Sequence, residues 1–203
     1  MATGRKMKKI YDAMAEIFGE THKMLRVIHD RLVKLKFSPV NGQIIWDTKT
    51  SLGSAECAWL PYFQQLLFKK GVPPKCAVGV TVIFDNEENS IPFISCGHIA
   101  PPSNKTGRTG SDSLYYAGWW KAEGWKISPD PPLYHSEHKK PSGVVKRMTN
   151  YFLPLDALKS ESEVVELIVK PLVSLHDGDQ PAAANAIKRH AITVEQIRGD
   201  SMI

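Results

Sequence analysis

Cysteine is scarce in this sequence, and its spacing excludes several classes of protein. There are three cysteines, Cys57, Cys76 and Cys96, with no CxxC pair. Secreted domains stapled by disulfides and cysteine-based zinc modules have denser, paired sets. An odd number in apolar surroundings predicts buried free thiols in a reducing compartment. We therefore expect a cytoplasmic protein.

Long hydrophobic runs are also absent. No apolar stretch approaches the roughly 18 to 20 residues that a membrane-spanning helix needs. The N-terminus begins with basic residues but lacks the continuous apolar segment and small-residue cleavage site of a secretory signal. Asp12, Glu16 and Glu20 argue against a transit peptide. We expect no membrane association.

The composition is that of a globular domain with an uneven charge distribution. Of the 203 residues, 42% are hydrophobic and 23% are charged, which excludes wholesale disorder. Residues 1–36 contain nine basic and four acidic side chains, whereas residues 161–203 contain four and seven. Residues 101–160 are again basic, with nine and five. This pattern fits either an acidic partner or charge complementarity within the molecule.

The clearest element is an amphipathic helix over residues 5–36, followed by the helix-ending Ser38-Pro39. Apolar side chains recur there at steps of three and four residues, which describes one wide helix face. This stripe is longer than a sheet of five short strands usually covers. We therefore expect part of it to pack on a second subunit, giving a homo-oligomer. The apolar stripe consists of Met7, Ile10, Tyr11, Met14, Ile17, Phe18, Thr21, Met24, Leu25, Ile28, Leu32 and Leu35.

The rest of the chain predicts strands with a few helices. We predict that the proline-rich segment 121–143 is irregular. Two β-rich runs, Cys76–Asp85 and Ile91–Ile99, should form an antiparallel hairpin. The predicted strands are Gln43–Thr48, Cys76–Asp85, Ile91–Ile99, Leu114–Trp120 and Val144–Leu155. The predicted helices are Pro61–Lys70, Glu161–Val169 with Ser160 and Glu163 in a capping box, and a short one at Ala182–His190.

Consecutive strands without intervening helices favour an α+β fold. The expected architecture is a mainly antiparallel sheet of about five strands, with the long N-terminal amphipathic helix and two or three further helices. We expect one domain over residues 1–175 and a C-terminal tail at 176–203.

Cys96 and His98 are two residues apart on a predicted strand, so both side chains point to one face. A thiol beside an imidazole is typical of a nucleophile with its base. A buried cysteine beside a hydrogen-bonded histidine shows the same spacing. We take both residues as catalytic candidates and leave open whether the protein is an enzyme.

His135 and His138, in the sequence YHSEHKK, are candidate metal ligands. Together with Cys96 and His98 they would supply four ligands of the kinds that zinc prefers. A lysine-rich loop on the protein surface also accumulates histidines. The sequence therefore leaves the cofactor, if any, unknown.

Aromatic side chains and positive charge are interleaved between residues 108 and 126. Such a pattern is typical of surfaces on which a planar ligand or single-stranded nucleic acid stacks. Alternation along a strand places about half of these side chains in a core. The candidate binding residues are Arg108, Tyr115, Tyr116, Trp119, Trp120, Lys121, Trp125 and Lys126.

Three functions agree with these patterns. The leading hypothesis is a non-catalytic binding or regulatory module that self-associates through the N-terminal helix and presents an aromatic-rich sheet surface to a protein or small-molecule partner. The second is a small hydrolase that depends on cysteine, histidine or a metal. The third, which we do not favour, is a nucleic-acid-binding protein that uses the basic and tryptophan-rich segments.

Overall fold

A computed structural model describes residues 2–39, 45–47, 63–71, 75–84, 91–100, 125–138 and 147–198. Helix α1 (Ala2–Lys34) is followed by eight strands within these ranges. They are β1 (Ser38–Pro39), β2 (Ile45–Asp47), β3 (Phe63–Lys69), β4 (Ala77–Ile83), β5 (Phe93–Ala100), β6 (Trp125–Asp130), β7 (Leu133–His138) and β8 (Arg147–Pro154).

Three helices follow β8 and a 3-10 turn at Leu155–Ala157. The first, α2, is continuous over 161–177 and consists of an α-helical turn, a π-helical segment and a second α-helical segment. These parts are Glu161–Val164, Val165–Val169 and Lys170–Asp177. The others are α3 (Gln180–Ile187) and α4 (Val194–Arg198).

The strands form one antiparallel sheet in the order β1-β3-β4-β5-β8-β7-β6, with β2 also paired to β3. Six of them are six to eight residues long, and β1 and β2 are shorter. The hairpin of β4 and β5 lies at the centre, as predicted from the two β-rich runs. The α+β class, the mainly antiparallel sheet and the long N-terminal helix are therefore confirmed.

Each face of the sheet has its own hydrophobic core. On one face α1, α2 and α3 cover alternate residues of β3, β4, β5 and β8, including Phe68, Val80 and Tyr151. On the other face Val194 and Ile197 of α4 pack near Phe93 and Phe152. Because both faces are covered, the central strands have buried side chains on both sides and lack the usual alternation of apolar and polar residues.

The predicted helix over Pro61–Lys70 is wrong. Residues Phe63–Lys69 form β3, which pairs with β4 along its whole length. The segment FQQLLFK contains good helix formers, and Gly71 after it resembles a helix end. Its side chains are buried on both faces of the sheet. Cross-strand pairing and burial therefore override the local helix propensity.

The prediction that residues 121–143 are irregular is also wrong for most of residues 125–138, the part that the structure describes. Residues 125–138 form the hairpin of β6 and β7 around Pro131 and Pro132. Proline is unfavourable inside a central strand, but β6 is an edge strand of the sheet. An edge strand tolerates a residue such as Pro129, which lacks a backbone N–H, because one side of the strand pairs with no neighbour.

Helix α2 begins with the predicted capping box. The Ser160 hydroxyl accepts a hydrogen bond from the Glu163 amide at 3.2 Å, and the Glu163 carboxylate accepts one from the Lys159 amide at 2.7 Å. Pro171 lies just after the π-helical segment. Proline lacks the N–H that would bond the carbonyl of Leu167 four residues earlier. The buried Tyr151 hydroxyl donates to that carbonyl at 2.9 Å instead.

Several predictions concern residues outside the described ranges. They include the strand Leu114–Trp120, the hairpin turn at 86–89 and the thiol of Cys57. Within the described ranges, α3 corresponds to the short helix predicted at Ala182–His190. The division into residues 1–175 and a tail at 176–203 stays a prediction.

Candidate functional sites

The N-terminal half of α1 extends away from the core and exposes an apolar stripe. Large side chains on one helix face are open to solvent, with exposed fractions of 66% for Met7, 60% for Ile10 and 69% for Tyr11. Ile17 is also exposed, and Met14 and Phe18 are partly exposed. Single exposed apolar residues are common, but a contiguous row of them marks an interaction surface.

The same helix face is buried further along α1. Thr21 is the first buried residue, and Leu25, Ile28 and Leu32 are fully buried against the sheet and α2. The Arg31 guanidinium donates to the Glu161 carboxylate at 2.5 Å and ties this half to α2. The apolar face of α1 is therefore exposed over residues 7–18 and buried in the core from Thr21 to Leu32.

The two halves of α1 meet beside a groove. Phe18 packs edge-on against Phe84 at the end of β4, with ring centroids 5.1 Å apart. The groove has a volume of about 530 Å³ and lies between α1 and the segment before α2, with Ile17, Met24 and Leu158 in its lining. It extends the apolar surface from the helix onto the body of the domain.

A polar cleft lies at the opposite end of α2, where it meets β5, β7 and β8. His98, Thr149 and His135 are paired across β5, β8 and β7, so they form a row on the helix-covered face. Neighbouring strands are about 4.8 Å apart, which sets the spacing of the row. His135 Nδ1 and Thr149 Oγ1 are within hydrogen-bond distance at 3.1 Å.

Three charged side chains and a third histidine surround this row. Arg147 and Glu137 are cross-strand neighbours, and Lys75 lies before β4. His176, in the last turn of α2, stacks edge-on against Phe37 at 4.9 Å. The cleft has a volume of about 610 Å³. We call this space the histidine cleft; it is lined by His98, His135, His176, Thr149, Arg147 and Lys75.

Sequence reasoning identified two of these six residues, His98 and His135. Thr149, Arg147, His176 and Lys75 were missed, because only the register of β5, β8 and β7 and the docking of α2 bring them together. Gly97 contributes to this register. A Cβ at Gly97 would collide with the Thr149 carbonyl oxygen, so glycine permits the close approach of β5 to β8.

The histidine cleft has a positive field. Burial, together with smaller contributions from the nearby Arg147, His135 and His176, lowers the pKa of His98 to about 4. His98 is therefore neutral at physiological pH. Its Nδ1 is buried without a hydrogen-bond partner. A buried N–H without an acceptor is rarer than a buried acceptor without a donor, so we assign the proton to Nε2.

Cys96 is separated from the cleft. Its thiol is fully buried under the helices, and burial raises its pKa to about 12. A thiol with this pKa is protonated at neutral pH and is a poor nucleophile. Cys76 is also a buried free thiol whose pKa is raised by burial. The catalytic interpretation of Cys96 and His98 stays a prediction, and burial of Cys96 weakens it.

His135 and His138 are both on β7, at positions of opposite parity. Among the side chains that the structure describes, no group of three His, Cys, Asp or Glu residues is arranged to hold a metal ion. The side chain of His138 lies outside that set. The proposed metal pair therefore stays a prediction.

Most of the predicted aromatic surface lies outside the described residues. Arg108, Tyr115, Tyr116, Trp119, Trp120 and Lys121 belong to the undescribed range 101–124. The backbones of Trp125 and Lys126 lie on the edge strand β6, paired with His138 and Glu137. Stacking of a ligand on this segment stays a prediction.

The chain matches no protein-family model, no curated protein and no solved structure. Function is therefore inferred from the described geometry. In the part of the chain that the structure describes, no helix has both the length and the apolar character that crossing a bilayer requires.

Proposed function

We propose that the protein is a non-catalytic binding module that self-associates through the exposed stripe of α1, with a second copy of the chain as its partner. One observation is the main support for this proposal. The buried face of α1 continues into a row of solvent-exposed apolar side chains, among them Met7, Ile10 and Tyr11. Covering such a row with an equivalent helix removes apolar surface from water, which favours association.

The charges on α1 favour a protein partner over a lipid surface. Helices that lie on membranes are rich in Lys and Arg on their polar face. Here the basic residues near the N-terminus, such as Lys6, are followed by Asp12, Glu16 and Glu20. Three carboxylates in the middle of the exposed half oppose binding to anionic lipids, whereas they attract the basic end of a second α1.

The two described cysteines, Cys76 and Cys96, are free thiols, which supports the proposal that the module acts in the cytoplasm. The aromatic segment around Trp119 remains the proposed surface for a further protein or small-molecule ligand of the module.

The test compares single substitutions on opposite faces of α1 by multi-angle light scattering at tens of micromolar protein. Ile10→Asp introduces one negative charge into the exposed stripe and should yield folded monomer. Lys9→Gln changes the net charge by the same amount away from the stripe and should leave the wild-type oligomer intact. Circular dichroism and thermal unfolding check that both variants are folded, which is expected because Ile10 makes no core contact and Lys9 is exposed.

A further inference from the structure

We propose that the histidine cleft binds a small organic anion through a phosphate or carboxylate group. This inference goes beyond self-association and does not depend on it, because the cleft and the exposed stripe of α1 are lined by different residues. Three independent features of the cleft support it: its donors, its field and its volume.

The floor of the cleft offers hydrogen-bond donors. His98 lines the cleft, and with its proton assigned to Nε2 the ring offers one N–H donor to a ligand. His135 uses Nδ1 for its contact with the Thr149 hydroxyl, so its Nε2 is the nitrogen left for a ligand. The charged oxygens of a phosphate or carboxylate accept hydrogen bonds from N–H groups, and such charge-assisted bonds are the stronger ones.

The rim supplies cations. Arg147 lies two residues from Thr149 on β8, on the same face of the sheet, and Lys75, just before β4, also lines the cleft. The guanidinium of arginine matches the two oxygens of a carboxylate or phosphate. Two described carboxylates oppose these cations. Glu137, the cross-strand neighbour of Arg147, lines the cleft, and the Asp177 carboxylate lies 2.8 Å from His176 Nδ1, so a ligand must compete with both.

The volume indicates that the anionic group belongs to a larger molecule. A cleft of about 610 Å³ is within the range of sites that hold organic ligands. Leu175 and Ala100 provide apolar surface in the same lining. The chemistry therefore fits an organic phosphate or a carboxylic acid whose charged end lies between Arg147 and His98.

The experiment titrates the full-length protein with inorganic phosphate and with citrate, monitored by histidine ring ¹H–¹⁵N NMR and calorimetry. Either probe should bind saturably at one site and shift the His98 ring signals. Arg147→Gln should weaken binding about tenfold, the usual effect of losing a charge-assisted hydrogen bond. Glu137→Gln should strengthen binding severalfold, since it removes the competing carboxylate. Lys159→Gln, an exposed lysine at the far end of α2, is the matched control and should change nothing.

The two probes separate the possible ligand sources, because tighter binding of phosphate indicates a phosphorylated ligand and tighter binding of citrate indicates a polycarboxylate. The proposal is overturned if neither probe saturates up to tens of millimolar. It is also overturned if Arg147→Gln and Glu137→Gln alter affinity in the same direction. Arg147 and Glu137 are both exposed, so neither substitution should disturb the core. Thermal unfolding of the two variants checks that the sheet is intact.

Discussion

His98 is a single side chain whose environment links stability to pH. Its pKa is lowered from 6.5 to about 4 in the folded protein, mainly by burial. Between these values the unfolded chain takes up a proton that the folded protein does not bind. Stability is therefore fully present above pH 6.5 and decreases as the pH falls towards 4.

Replacing His98 with asparagine should flatten this dependence. Urea unfolding at several pH values between 6.5 and 5 should show a smaller loss of stability for His98→Asn than for the wild type. The exposed His22→Asn on α1 serves as the control and should keep the wild-type slope. Equal slopes for all three proteins would contradict the buried, neutral state assigned to His98.

Tyr151 is the second residue whose role can be tested directly. Its hydroxyl donates to the Leu167 carbonyl, which Pro171 leaves without its helical partner. Tyr151→Phe keeps the buried ring but removes this buried hydrogen bond, so it should lower the free energy of unfolding by ~1 kcal/mol. Chemical denaturation in the monomeric Ile10→Asp background measures the difference, and Tyr11→Phe in the same background is the matched control. A loss of stability no larger than that of the control would mean that the hydrogen bond contributes nothing.

At the scale of elements, the charge pattern of α1 predicts how two copies pair. In a parallel pair the basic N-terminal block of one helix would lie beside the basic block of the other. An antiparallel pair centred near residue 13 instead brings Lys6 next to Glu20 of the second copy, while Met7 approaches Phe18 of that copy. Opposite charges on the flanks of such a pair set its orientation.

A charge exchange tests this orientation. Lys6→Glu and Glu20→Lys should each weaken dimerisation severalfold, and the double variant should restore it, as measured by sedimentation velocity at low salt. Glu166→Lys combined with Lys170→Glu exchanges an exposed ion pair on α2, outside α1, and is the control pair whose single and double variants should leave dimerisation unchanged. Self-association without rescue by the Lys6 and Glu20 exchange would reject the antiparallel arrangement and leave self-association itself standing.

The elements also show what a single sequence can reveal. Helix α1, the β4–β5 hairpin, β8 and the capping box of α2 follow from local periodicity and from Ser160 and Glu163. Strand β3 and the β6–β7 hairpin do not, because their identity depends on burial from both faces and on an edge position that accepts Pro129. The same limit applies to the histidine cleft. Its floor requires His98, Thr149 and His135 to be in register, and strand register is a tertiary property.

At the scale of the whole molecule, α1 lies partly in the core and partly in solvent. Its second half belongs to the protein's own core through Leu25, Ile28 and Leu32, and its first half extends the same apolar face into solvent. Burying that first half against a second copy accounts for a stripe that the domain's own sheet and helices leave uncovered. The residues that line the histidine cleft lie outside α1.

Sedimentation equilibrium of the wild-type protein from micromolar to hundreds of micromolar tests this account most directly. We predict a reversible, concentration-dependent shift from the mass of one chain to the mass of two, and no shift for Ile10→Asp over the same range. A wild-type protein that sediments as a monomer at every concentration would contradict the assignment of α1 as a self-association helix.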